Sequence, residues 1–130
     1  MDEKSQQLAG EWFEKAQADL DFAKLGFKET KHYGEVCFLC QQGVEKYLKG
    51  FLVAMGKRPR KIHSVGALAK SCAKFNKEFD GLISKCKILD RYYIPPRYPV
   101  PGRIRYYKKD AQEAIEIAVV IVRLIKRLLR

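Results

Sequence analysis

Apolar residues recur at spacings of three and four along most of this chain. From near Ser5, the residues Ala9, Trp12, Phe13, Ala16, Leu20, Ala23 and Phe27 do so, with Glu11, Glu14, Lys15, Asp19 and Lys24 on the other side. That pattern predicts an amphipathic helix of about six turns. After a break at Thr30 to Gly34, the residues Cys37, Cys40, Val44, Tyr47, Leu48, Phe51, Leu52 and Met55 mark a second long helix, which Gly56 stops. A short basic turn, Lys57 to Lys61, contains Pro59. Then Val65, Leu68, Ala69, Cys72 and Phe75 outline a third helix, for which Ser64 is a suitable cap. Asp80 is the expected N-cap of a shorter fourth helix carrying Leu82, Ile83, Cys86, Ile88 and Leu89.

The last helix, capped by Asp110, has one stripe of Ala114, Ile115, Ala118, Val119, Val122, Ile125 and Leu129. Its other side, with Ile117, Val120, Ile121, Leu124 and Leu128, is apolar too. A helix apolar over most of its circumference suits the centre of a bundle or a face covered by a partner subunit. The β-branched run Val119 to Val122 would fit a strand, but the length of the pattern and its Ala- and Glu-rich start favour helix. The expected architecture is all-α, an antiparallel up-and-down helical bundle of four main helices plus one short helix, forming a single domain over residues 1–130.

Between the fourth and last helices the periodicity stops. Leu89 to Gly102 holds four of the chain's five prolines, which excludes helix over Pro95 to Pro101. From Leu89 to Lys109 there are four arginines and five tyrosines, and no carboxylate intervenes between Asp90 and Asp110. Guanidinium forks grip phosphate, and tyrosine faces stack on bases. Arg91, Tyr93, Arg97, Tyr98, Arg103 and Arg105 are therefore candidate contacts for a nucleotide or RNA. Arg97 and Tyr98 lead, because Arg97 is held among prolines. Tyr92 or Tyr93 is expected to be buried and to pin the loop to the bundle.

Charge supports an anionic partner. Twenty-six basic residues against fifteen acidic ones give a formal net charge of +11 and a pI near 9.6. The distribution is uneven: Met1 to Thr30 carries net −3, leaving +14 for the rest, and no acid occurs from Lys46 to Lys77. The N-terminus is acidic and polar, and the run Ile117 to Val122 is too short to span a bilayer. A cytoplasmic chain with reduced thiols and no membrane contact is expected. Cys37 and Cys40 have C-x-x-C spacing, but without a second such pair they read as small residues on an apolar helix face. No metal or cofactor is expected.

Five blocks in order resemble the HEPN domain family. They are Trp12-Phe-Glu-Lys-Ala16 with Asp19-Leu20, Cys37-Phe-Leu-Cys-Gln-Gln-Gly-Val-Glu-Lys-Tyr-Leu-Lys49, Ile62-His-Ser-Val-Gly-Ala-Leu68, Leu89-Asp-Arg-Tyr-Tyr-Ile-Pro-Pro-Arg-Tyr-Pro99 and Asp110-Ala-Gln-Glu-Ala-Ile115. The resemblance implies a helical bundle that forms a homodimer, acts with a minimal nucleotidyltransferase of the MNT type, and serves in toxin–antitoxin or nucleotide-handling pairs. Some members of the family are metal-independent RNases that carry Arg-x(4 to 6)-His across paired subunits.

Metal-free RNA cleavage needs a proton acceptor for the 2′-hydroxyl, a donor for the leaving oxygen, and positive charge on the phosphate. Arg58-Pro-Arg-Lys-Ile-His63 meets the spacing. Its position does not match, because the resemblance implies a catalytic motif around the start of the last main helix, whereas His63 corresponds to the Thr-His or Ser-His that opens the third helix in ordinary members, and the later region has no histidine. Arg58 and His63 are thus weak catalytic candidates, and His63 also reads as a structural residue at a helix start. Gln41, Gln42, Glu45, Lys46 and Lys49 recur on neighbouring helix faces, and Gln42, Lys46 and Lys49 are candidate phosphate contacts beside the loop. The expected function is nucleotide or RNA binding. Its rivals are an RNase built on Arg58 and His63 and a non-catalytic interaction subunit.

Overall fold

Helix α2 (Tyr33–Ala54) is the axis of the molecule, with sixteen of its 22 residues buried. Around it, α1 (Glu3–Glu29) runs antiparallel and close, and α3 (Val65–Ala73), α4 (Ile83–Asp90) and α5 (Lys108–Leu128) complete an all-helical bundle. A 3-10 turn over Lys77–Leu82 leads into α4. The computed structural model describes residues 2–58, 61–93, 96, 98–99, 102 and 104–130, and no strand occurs among them.

The close approach of α1 to α2 has a local cause. A Cβ on Gly43 would come within 2.6 Å of the Leu20 side chain, and one on Gly50 within 2.5 Å of the Phe13 ring. With hydrogens there instead, Leu20 and the Phe13 ring fit against the α2 backbone, and Phe13 stacks on Tyr47 with centroids 5.6 Å apart. The core continues through Phe51, Phe79, Leu48, Leu68, Leu89, Ile121 and Ile125, all essentially inaccessible to water. Most of the apolar surface of α5 is therefore used inside the bundle, where Ile117, Ile121, Val122, Leu124 and Ile125 are buried and Val120 is exposed.

Several boundaries depart from the pattern of apolar residues. Helix α1 begins at Glu3, where Asp2 accepts the Ser5 N–H at 2.7 Å. Helix α2 starts at Tyr33, so Gly34 lies within it. Phe75 falls outside α3, and Asp80 sits inside the 3-10 turn, whose cap is Asn76 accepting from the Glu78 N–H. Asp110 is three residues inside the cap of α5, and its carboxylate reaches back to the Tyr107 N–H at 2.8 Å. Ser64 does cap α3, accepting from the Ala67 N–H at 3.1 Å.

All four cysteines are buried and free. Loss of hydration pushes the thiols of Cys37, Cys40 and Cys86 up to about 12, and that of Cys72 up as well. They are packing residues, and among the described residues no group of three or more His, Cys, Asp or Glu is arranged to hold a metal ion. No helix among the described residues is long and apolar enough to cross a membrane.

Candidate nucleic-acid interface

The chain reaches the aromatic loop from α4, and Asp90 fixes the point of departure. Its carboxylate accepts from the Ser64 hydroxyl at 2.9 Å, the Val65 N–H at 2.7 Å and the Gly66 N–H at 3.2 Å. Free N–H groups at the start of a helix favour an anion, so Asp90 ties the end of α4 to the start of α3. Gly66 permits this, since a Cβ there would meet Asp90 Oδ2 at 3.0 Å.

Beyond Asp90 the two adjacent tyrosines part. Tyr92 is 6% exposed and packs in the core, where burial raises its phenol to about 12, with Cys37 adding to the effect. Tyr93 lies partly exposed against His63, with ring centroids 4.8 Å apart and planes 17° from parallel. The returning end of the loop is anchored by Tyr106, whose ring meets Tyr92 edge-on at 6.0 Å. It also covers Gly34, where a Cβ would come within 2.9 Å of the Tyr106 ring.

These anchors create an open groove of about 650 Å3 at the start of α2. Lys31, His32, Tyr98, Arg105 and Tyr107 line it together with Pro96, Pro99 and Ile104, and Glu35 is its one carboxylate among the described residues. Tyr98 and Tyr107 are each 54% exposed. Among the described residues no acid lies within ion-pair distance of Lys31, Arg91 or Arg105. Arg97 and Arg103 fall outside the described residues.

The α2 candidates occupy a different setting. Lys46 pairs with Asp19 of α1 at 2.9 Å, and Gln42 donates to the same carboxylate at 3.2 Å. Lys49 donates to Glu45 at 2.9 Å, its ammonium 5.7 Å from the centroid of the Trp12 ring. All three polar groups are directed at carboxylates of the bundle, away from the groove at the start of α2. Trp12 is half-buried and packs with Ala9, Val53 and Ala54.

The sequence pattern did not reveal what Glu45 does. Its Oε2 lies 3.1 Å from His63 Nδ1, and its Oε1 accepts from Gln41 Nε2 at 3.3 Å. Gln41, fully buried, donates from the same nitrogen to the His63 carbonyl at 2.9 Å. Backbone and ring of His63 are thereby held from α2 at once. The signal in the sequence was the stripe Gln41, Glu45, Lys49 at helical spacing. Its meaning depended on a histidine 18 residues further along. Arg58 is exposed two residues past Gly56, and among the described residues nothing pairs it with His63.

Three comparisons with known proteins agree with this architecture. The family model described as HEPN domain matches residues 9–128. A protein of Methanocaldococcus jannaschii named "Putative toxin MJ1304" is 29% identical, covering 92% of this chain and 86% of its own length. Among solved structures, TT1696 from Thermus thermophilus superposes with a TM-score of 0.78 at 30% identity, over 92% of this chain and 96% of that one. ST0689, described as an archaeal HEPN homologue, gives 0.74 at 28% identity, over 94% and 98%. With the helical bundle, the ordered sequence blocks and a family model spanning nearly the whole chain in agreement, this protein belongs to the HEPN domain family.

Proposed function

We propose that this chain is the HEPN subunit of a two-protein toxin–antitoxin pair and that it binds RNA, or the nucleotides that compose it, along the groove at the start of α2. The observation that carries the reading is the meeting of exposed Tyr98 and Tyr107 rings with Lys31 and Arg105 in one concave site. Stacking faces and unpaired cations are what a single-stranded polyanion requires. Arg91 is exposed at the departure of the loop from α4. Arg97 and Arg103 belong to the same segment of sequence and are assigned the same role. The name of the Methanocaldococcus relative supports the toxin side of the pair.

The partner is a minimal nucleotidyltransferase, and the chain acts as a homodimer. Exposed Phe22 and Leu25 on the outer face of α1 offer apolar surface for the second copy. Titrating a labelled single-stranded RNA by fluorescence anisotropy tests the binding function. Saturable binding that weakens as salt rises is expected, and failure to bind either RNA or a nucleotide refutes it. Co-expression with the nucleotidyltransferase of an adjacent reading frame tests the partner, for which co-elution is expected and separate elution is contrary. Sedimentation tests the homodimer, for which a monomer at all concentrations is contrary.

A further inference from the structure

Helices α1 and α5 both pack on α2 and meet each other less closely than either meets α2. Between them lies a partly enclosed cavity of about 300 Å3, which shares no lining residue with the groove at the start of α2. Leu20, Cys40, Ala118 and Val122 are buried at its floor. The short side chains of Cys40 and Ala118 leave the space open, since a longer residue at either position would occupy it.

The rim has the opposite chemistry. Lys24 of α1 and Arg123 and Lys126 of α5 stand exposed there, and no carboxylate lines the cavity. Among the described residues no acid lies within ion-pair distance of any of the three. The Lys24 charge is felt at the floor, where it partly offsets the rise that burial imposes on the Cys40 thiol. Gln17 is engaged at both ends of its amide, Oε1 accepting from the Tyr47 hydroxyl and Nε2 donating to Asp21 at 2.9 Å. The charged groups left open to a ligand are therefore all cations. Lys126 lies in the last turn of α5 and complements the carbonyl end of that helix, but Lys24 and Arg123 lie outside the last turns of theirs. Like charges converging from two helices repel one another unless an anion sits between them.

We propose that the cavity between α1 and α5 is a second binding site, which takes a small amphipathic carboxylate with its aliphatic chain on Leu20, Ala118 and Val122 and its headgroup among Lys24, Arg123 and Lys126. The apolar floor excludes a small hydrophilic anion, and the rim disfavours an amphipathic amine. At about 300 Å3 the cavity is at the lower end of ligand sites, which suits a chain of medium length. The site is independent of the proposed RNA binding.

The test titrates octanoate, octanol and octyltrimethylammonium, each below its aggregation limit, into the full-length protein labelled with 15N. Octanoate should bind saturably, with the largest amide shifts at Leu20, Cys40, Ala118 and Val122, and about threefold or more tightly than octanol. Octyltrimethylammonium should leave those amides unmoved. Hexanoate, shorter by two methylenes, should bind roughly tenfold more weakly than octanoate. Arg123→Gln and Lys24→Gln alter exposed side chains, so the fold tolerates them; each should lower octanoate affinity about threefold and leave that of octanol unchanged. No saturable binding of octanoate, equal affinity for octanol, shifts centred on Phe22 and Leu25 or on the groove, or unchanged octanoate affinity in both variants would overturn the assignment.

Discussion

Two sets of cations on this protein look alike in the sequence and differ in the structure. Lys46 on α2 pairs with Asp19 of α1, joining two helices, and Lys49 pairs with Glu45 one turn earlier on α2 itself, so both charges are matched within the bundle. Lys31 and Arg105, beside the exposed rings of Tyr98 and Tyr107, have no carboxylate at ion-pair distance among the described residues. The count of 26 basic residues overstates the cations a polyanion can use, because Lys46 and Lys49 are already matched by carboxylates that the net charge of +11 subtracts. Available charge depends on which side of the bundle a residue occupies.

The largest expected effect concerns the paired set. Glu45→Ala removes a carboxylate that is 10% exposed and leaves Lys49, 6% exposed, without its partner. A loss of about 3 kcal/mol in urea unfolding is expected, and a loss below about 1 kcal/mol would show that the cluster is not structural. On the unpaired set, Tyr98→Ala should weaken single-stranded RNA binding about tenfold, given ~1–3 kcal/mol per stacked base. Unchanged anisotropy curves would remove that ring from the interface. Gly34→Ala connects the two regions, because the added methyl meets the Tyr106 ring that anchors the loop on α2. It should lower stability by about 1–2 kcal/mol and also weaken RNA binding; a stability loss with full RNA affinity would separate the anchor from the interface. The smallest effect is that of Lys46→Ala, at most about 1 kcal/mol in unfolding because its pair with Asp19 is partly solvated.

The helices are legible because an apolar face repeats within a few residues; Ser64 caps α3 as local pattern indicates, while of Tyr92 and Tyr93, either of which suits burial by pattern, Tyr92 is the one in the core. Two kinds of information were not local. The centrality of α2 comes from Gly43 and Gly50, which matter only because Leu20 and Phe13 arrive from another helix. The use of Lys46 and Gln42 depends on Asp19, more than twenty residues away in the chain. The 3-10 turn over Lys77–Leu82 was missed because so short a segment gives helical periodicity no room to repeat, which displaced the expected cap from Asn76 to Asp80. At the candidate site, the loop's tyrosines and basic residues were recognisable by composition. The dyad of His63 and Glu45 was not, since a histidine before a capping serine gives no sign of what its ring meets.

The difference between the two sets of cations is measured most directly by the salt dependence of RNA binding. The logarithm of the binding constant should fall linearly with the logarithm of salt concentration, and removing one phosphate-binding side chain should reduce the slope by about one. Arg105→Ala should show that reduction, while Lys46→Ala should keep the wild-type slope. The same reduction in both variants, or in neither, would contradict the division between structural and available charge.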